Sequence, residues 1–382
     1  MSHNFDTFPN RRNSDSGKWN HYDADVLPMW VADMDFVSPQ PVLDALKKRV
    51  EHGVFGYPGD PLELTEAVQA WIEKHYGWTV EKEAIMLVPG VVTGFNWVCN
   101  SLTHPGQGAL IQTPVYPPFL YAPANADLEK HEMQLTLQTD GSYTIDFDAF
   151  EAAIQANTQI FILCNPHNPV GRVFTPEELE RLAEICLRKN VIICSDEIHA
   201  DLIYAPNRHV PIASLSPEIA KNTVTLIAPS KTFNIAGLEC SVAIATNPEI
   251  RQQLRRGGRG MSGWVNVMGQ TAALAAYRYG EPWLNDLIEY LQGNRDYLYR
   301  FVRDEMPGVE MGLPEGTYLA WLDCRKVVNG NPHEFFLEKA RVAVNDGATF
   351  GNGGEGFVRL NFGCPRSMLE EALQRMKKAL QG

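Results

Sequence analysis

Between about residues 84 and 245 the chain alternates short apolar runs with stretches of helical hydrophobic period, and this alternation most constrains the fold. Ala84–Val88, Ile160–Leu163, Val191–Cys194 and Val224–Ile227 are too short and too rich in Ile and Val for buried helices, so they read as buried strands. Between them lie helix signals. Phe95, Val98, Cys99 and Leu102 fall on one helical face after Thr93, and Thr175-Pro176-Glu177-Glu178 has the form of a capping box with proline at the first helical position. Ser367-Met368-Leu369-Glu370 is expected to open the last helix in the same way. Strands alternating with helices predict an α/β fold with a mainly parallel sheet. At 382 residues the chain suits a large domain plus a smaller one.

Several of these strands end on residues that carry chemistry. Val224–Ile227 leads into a small, polar turn, Ser230-Lys231-Thr232, and a lysine at the end of a buried strand is desolvated and fixed, which makes an amine nucleophilic and able to hold an imine. The alternative is a loop lysine whose ammonium reaches water. Ile192 and Ile193 lead to Asp196, at the strand end where open parallel sheets bind ligands; an ordinary surface carboxylate is the other reading. Ile160–Leu163 runs into Asn165-Pro166-His167-Asn168-Pro169, which either presents the Asn168 amide to a ligand or forms a plain turn. Arg359 sits within the apolar run Phe357–Leu360, so its guanidinium needs an anion: a bound carboxylate or an internal acid.

The order Asn-Pro-x-Asn-Pro-x-Gly, Ser195-Asp196-Glu197-Ile198, Ser230-Lys231-Thr232-Phe233-Asn234 resembles the fold-type I enzymes that use pyridoxal 5'-phosphate. Met29-Trp30-Val31-Ala32-Asp33-Met34-Asp35-Phe36, Ser195 to Leu202, and Gly356-Phe357-Val358-Arg359-Leu360-Asn361-Phe362-Gly363 narrow the resemblance to MalY/PatB-type cystathionine β-lyases, over nearly the whole chain. It implies a large cofactor domain of residues 46–280 with a seven-stranded-type sheet. Residues 1–45 and 281–382 would form the small domain.

The resemblance also assigns roles. Lys231 would be imine former and general base, Asp196 the partner of the pyridine nitrogen, Asn168 that of the ring hydroxyl, and Tyr116 the ring's stacking partner. The phosphate would sit on the backbone of Val92 and Thr93, within Pro89-Gly90-Val91-Val92-Thr93-Gly94, and on Ser230. Tyr57 of a neighbouring subunit would reach the same phosphate, making the working unit a homodimer. Arg359 and Ala32 would take the substrate's α-carboxylate, with Tyr116 beside it.

Two positions depart from the common aminotransferase pattern: Glu239 stands where many relatives carry a phosphate-binding arginine, and His199 where many carry a ring-contacting tyrosine. The expected reaction is β-elimination from cystathionine or a related cysteine S-conjugate, giving a thiol, pyruvate and ammonia. An aminotransferase is the alternative, as is a lyase with an added, protein-mediated regulatory role.

A net charge of −13 opposes a nucleic-acid surface, and Arg255-Arg256-Gly257-Gly258-Arg259-Gly260, the one basic cluster of note, reads as a mobile loop. The seven cysteines show no metal-type or disulfide spacing and read as buried thiols. Neither a signal segment nor a membrane-spanning run is expected, which places the enzyme in the cytoplasm.

Overall fold

The computed structural model describes residues 3–382 except 13, 60, 261 and 262. Its centre is a seven-stranded sheet: β1 (Ile85–Val88), β2 (Gly108–Thr113), β3 (Glu129–Gln134), β4 (Thr158–Cys164), β5 (Ile192–Asp196), β6 (Thr223–Ile227) and β7 (Ser241–Ile244). The spatial order is β1-β7-β6-β5-β4-β2-β3. Only β7 runs antiparallel to its neighbours. Every residue of β2 and β6 is buried, as in central strands covered on both faces. Cys164, Asp196 and Leu226 lie side by side in register across β4, β5 and β6. The carboxyl ends of the parallel strands therefore form one edge.

Helices pack on both faces of the sheet. α1 (Leu62–Tyr76) lies among the residues around Trp71, while α2 (Val91–Leu102) buries Phe95, Val98, Cys99 and Leu102 as the spacing predicts. A Cβ at Gly94 would lie 3.1 Å from Leu226, so glycine lets α2 approach β6 closely. α3 (Pro176–Arg188) has the full capping box: Thr175 Oγ1 accepts from Glu178 N at 3.2 Å and Glu178 Oε2 from Thr175 N at 2.9 Å.

A second, antiparallel sheet holds β8 (Leu319–Asp323), β9 (Asn345–Asp346) and β10 (Phe357–Asn361), ordered β8-β10-β9. The long helix α4 (Glu281–Glu305) and the last helix α5 (Arg366–Gln381) accompany it. The amino-terminal residues return to this region, Leu27–Pro28 pairing in parallel with Val342–Ala343. Among the described residues no helix is long and apolar enough to cross a membrane.

Three local expectations need correction. α5 begins at Arg366 without a side-chain cap, because Pro365 already sets the entry and the Tyr290 hydroxyl accepts from Arg366 N at 2.8 Å; Ser367 is left inside the first turn. The Ser-Lys-Thr segment is a short helix, Pro229–Thr232, rather than a turn. The basic cluster is no mobile loop over Arg255 and Arg256, which lie in the helix Pro248–Gly257. Gly257 and Gly258 sit so close to Ser101 and Trp97 that a Cβ at either would overlap them.

Candidate active site

A cavity of about 250 Å³ opens along the edge where the parallel strands end. After β1, residues 89–93 form its floor at the start of α2. After β2 comes Tyr116 and after β4 Asn168. Asp196 closes β5, Ser230 and Lys231 follow β6, and Glu239 to Ser241 lead into β7; His199 and Ala32 complete the wall. Of the residues singled out from sequence, Lys231, Asp196, Asn168, Tyr116, Val92, Thr93, Ser230, His199 and Ala32 all line this one space. Arg359, on β10, borders it by donating to Asn168 Oδ1 at 3.0 Å. Tyr57 does not. It is 93% exposed in the segment before α1.

The charges in the cavity are poorly matched to one another. Burial pushes the Lys231 ammonium down to about 8, helped by the Arg359 cation and opposed by Asp33 and Asp196. Burial pushes Asp196 up to about 7, against the hydrogen bond from Ile198 N to its Oδ1 (3.0 Å). Its other oxygen has no partner within the described residues. Burial, with the Lys231 and Arg359 cations nearby, holds His199 at about 3, so the imidazole is neutral, and its buried Nδ1 has no hydrogen-bond partner among the described residues. Arg359 is pushed down to about 10 by burial. Its partners are neutral: Asn168 Oδ1, Asn345 Oδ1 at 2.7 Å and Trp30 O at 3.2 Å, with Nε unpartnered. No internal carboxylate pairs with it among the described residues.

Each mismatch fits a part of pyridoxal 5'-phosphate or of an amino acid joined to it. A protonated pyridine nitrogen would compensate Asp196, and an α-carboxylate would compensate Arg359. The start of α2 carries free N–H groups at Val91, Val92 and Thr93. Its cap residue Gly90, at φ +91°, brings no side chain to satisfy them, so a phosphate can. The Asn168 amide and the His199 imidazole face the space between. The residues present fit the cofactor.

Sequence reasoning missed the groups that hold this wall in place. Residues 30–36 form a strap without regular structure whose carbonyls are gripped by distant side chains. Asn361 Nδ2 donates to Val31 O (2.6 Å) and Asp33 O (2.7 Å), and Asn234 Nδ2 to Met34 O (2.9 Å) and Phe36 O (2.8 Å). Beneath the strap, Asp35 accepts from Arg11, Lys18 and Trp19, each at 2.7 Å. Ala32 O accepts from both Lys231 Nζ (2.6 Å) and the Tyr318 hydroxyl (2.9 Å). Beside Lys231, Thr232 donates to Asp201 Oδ2 (2.8 Å), and Asp201 Oδ1 accepts from Trp71 (2.9 Å) and Tyr76 of α1. Asn234 and Asn361 sit inside motifs legible in the sequence, so a signal existed for them. For Tyr318 and Asn345 there was none.

Comparison with known proteins gives the family. The aminotransferase class I and II family model matches residues 24–376. The chain is 40% identical to cystathionine beta-lyase PatB of Bacillus subtilis, over 99% of this chain and all of that protein. Among solved structures, a pyridoxal-phosphate-bound putative aminotransferase from Clostridium difficile superposes with a TM-score of 0.96 at 39% identity, covering 99% of both chains. Cystalysin from Treponema denticola, which contains pyridoxal 5'-phosphate, does so at 0.95 and 35%, covering all of this chain and 99% of its own. A family match over nearly the whole chain, with close relatives matched almost end to end, leads to one conclusion: this chain belongs to the aminotransferase class I and II family, in the fold-type I pyridoxal-phosphate superfamily.

Proposed function

We propose that the protein is a pyridoxal-phosphate-dependent C–S β-lyase that takes cystathionine or a related cysteine S-conjugate, with water, to a thiol, pyruvate and ammonia. The observation that carries the reading is the convergence on one small cavity of a partly buried amine with a lowered pKa, a buried acid with a raised one and, at its border, a buried arginine with no acid partner among the described residues. The name of the relative PatB supports elimination as the outcome. So does Glu239, an acid beside the phosphate seat where many aminotransferases place an arginine.

Bound in the cavity, pyridoxal 5'-phosphate supplies an electron sink for the pair left when the substrate's α-proton departs. The chain's own residues do the rest. Arg359 and the Ala32 N–H hold the α-carboxylate, which fixes the α-carbon against Lys231. The Lys231 amine, which burial lowers to about 8, is suited to take the α-proton and to return one. Asp196 would keep a proton on the ring nitrogen, Tyr116 would cover the ring, and Asn168 and His199 would face its hydroxyl. Val92, Thr93 and Ser230 would seat the phosphate.

In this reading residues 46–280 are the cofactor domain and residues 1–45 with 281–382 the small one, in a cytoplasmic homodimer. Tyr57 supports the dimer: with Val54 and Phe55 it forms an exposed apolar stretch ahead of α1, which is tied through Asp201 to the short helix of Lys231. A second copy covering that stretch would bring Tyr57 to the phosphate seat of its neighbour.

The deciding experiment incubates the purified protein with cystathionine, with and without an added keto acid, and measures pyruvate and free thiol. Both should appear without the keto acid. Strict dependence on it would make the protein an aminotransferase.

A further inference from the structure

Lys231 is not alone on its acceptor. The Ala32 carbonyl takes hydrogen bonds from Lys231 Nζ at 2.6 Å and from the Tyr318 hydroxyl at 2.9 Å. The two donors come from opposite sides, Lys231 from the end of β6 and Tyr318 from the residue before β8. Tyr318 is held rigidly. It is 1% exposed, its carbonyl accepts from Phe362 N at 2.9 Å, Leu202 O accepts from Thr317 N at 2.7 Å, and its ring meets His199 edge-on at 6.1 Å. Burial raises its phenol, so at any working pH the hydroxyl is a donor.

A reacting lysine must leave whatever it is bonded to. If Lys231 were the sole donor to Ala32 O, each departure would strand a partly buried carbonyl, and that cost would be added to the chemical step. A second, immobile donor removes it. We propose that Tyr318 is a positioning residue for Lys231: its hydroxyl keeps the Ala32 carbonyl satisfied, so that the amine is aimed by that carbonyl yet free to leave it. The inference rests on the reading of Lys231 as the reacting amine.

The consequence for Lys231 has a definite sign. Two donors sharing one oxygen weaken each other, and an ammonium gains more from a carbonyl than a neutral amine does. Removing the phenol hydroxyl therefore strengthens the ammonium's bond and raises the lysine's pKa. The charged groups facing Lys231 are Arg359, Asp33 and Asp196, with His199 neutral beside them, and Tyr318→Phe leaves all four in place.

The test measures the reactivity of Lys231 toward an amine-acylating reagent as a function of pH in the full-length protein after cofactor removal, read by mass spectrometry of the Lys231 peptide. Tyr318→Phe should raise the midpoint by about one pH unit, the size of one hydrogen bond in the protonation balance. In the loaded enzyme kcat should fall roughly tenfold with little change in KM. Incorporating 3-fluorotyrosine at position 318 keeps the ring and strengthens the donor, so the midpoint should move down. That variant also serves if Tyr318→Phe folds poorly. An unchanged midpoint in Tyr318→Phe, with lowered thermal stability and a raised KM, would make Tyr318 a structural anchor for the strap and overturn the proposal. Reduction with borohydride separates this from the underlying reading: if it fails to fix pyridoxal on Lys231 in the unaltered enzyme, the assignment of Lys231 is wrong whatever Tyr318 does.

Discussion

Arg359→Ala gives the sharpest test of how the cavity recognises its substrate, because the structure separates what the guanidinium does for the fold from what it can do for a ligand. Three bonds go to neutral protein acceptors, Asn168 Oδ1 (3.0 Å), Asn345 Oδ1 (2.7 Å) and Trp30 O (3.2 Å). Asn168 lines the open cavity, and water entering from it into the vacated volume can satisfy the freed acceptors, so the fold should survive. The ligand side is different. A buried cation with no acid partner, pushed down to about 10, gains a compensating charge only when a carboxylate arrives. Two charge-assisted bonds at the lower end of their range come to about 3 kcal/mol, or roughly 150-fold in kcat/KM. We expect that loss to appear mainly in KM, with the visible absorbance of the bound cofactor little changed and the thermal midpoint within a few degrees of the parent. Steady-state kinetics on cystathionine beside an absorbance scan decide it. Loss of the cofactor band would show that Arg359 supports the cofactor through Asn168 rather than the substrate. A KM within threefold of the parent would show that the carboxylate binds elsewhere.

Lys231→Ala should abolish turnover by many orders of magnitude, and borohydride should attach no pyridoxal to the variant; substantial residual activity would remove Lys231 from its role. Asp196→Asn should retain cofactor yet lose most of its rate, since an amide cannot hold the ring's proton, and near-normal turnover would place another group at the ring nitrogen. The same variant carries a pH signature in the cofactor-free protein. A carboxyl raised from 3.8 to about 7 stabilises the fold below its unfolded value and loses that contribution as pH rises through 7, so cofactor-free Asp196→Asn should melt above the cofactor-free parent at pH 8. The gap should close near pH 4, and equal melting at both pH values would mean that Asp196 is not buried as an unpaired acid. Mixing Tyr57→Ala with Lys231→Ala protein should restore part of the activity that each lacks, because hybrid dimers regain one intact site; no recovery after demonstrated subunit exchange would remove Tyr57 from the neighbouring site.

What the sequence could show, and what it could not, follows from how far apart in the chain the interacting groups lie. Asp196 and Lys231 were legible because each follows a buried strand whose apolar run is contiguous, and β5 and β6 then lie side by side with Asp196 level with Leu226. Parallel connections bring successive strand ends to one edge, so order along the chain becomes adjacency in the cavity. The capping box at Thr175 was legible for the same reason, all its partners lying within three residues. At Ser367 a similar local pattern failed, since a hydroxyl 76 residues from Arg366, on Tyr290, supplies the acceptor for the helix's first N–H. The Ala32 carbonyl is the extreme case. Its two donors lie 199 and 286 residues away, and neither the irregular strap nor the apolar strand that follows Tyr318 has a period or spacing that points to the other. Long-range hydrogen bonds to backbone carbonyls leave no pattern in a single sequence, because the acceptor is present in every residue type and only the donor's identity is visible. Tyr57 is unreadable for a further reason: its partner would be another molecule, and within one chain it is only an exposed tyrosine. The cavity's chemistry therefore came from strand ends, which sequence exposes. Its aim depends on the strap and on Tyr318, which only the folded chain brings together.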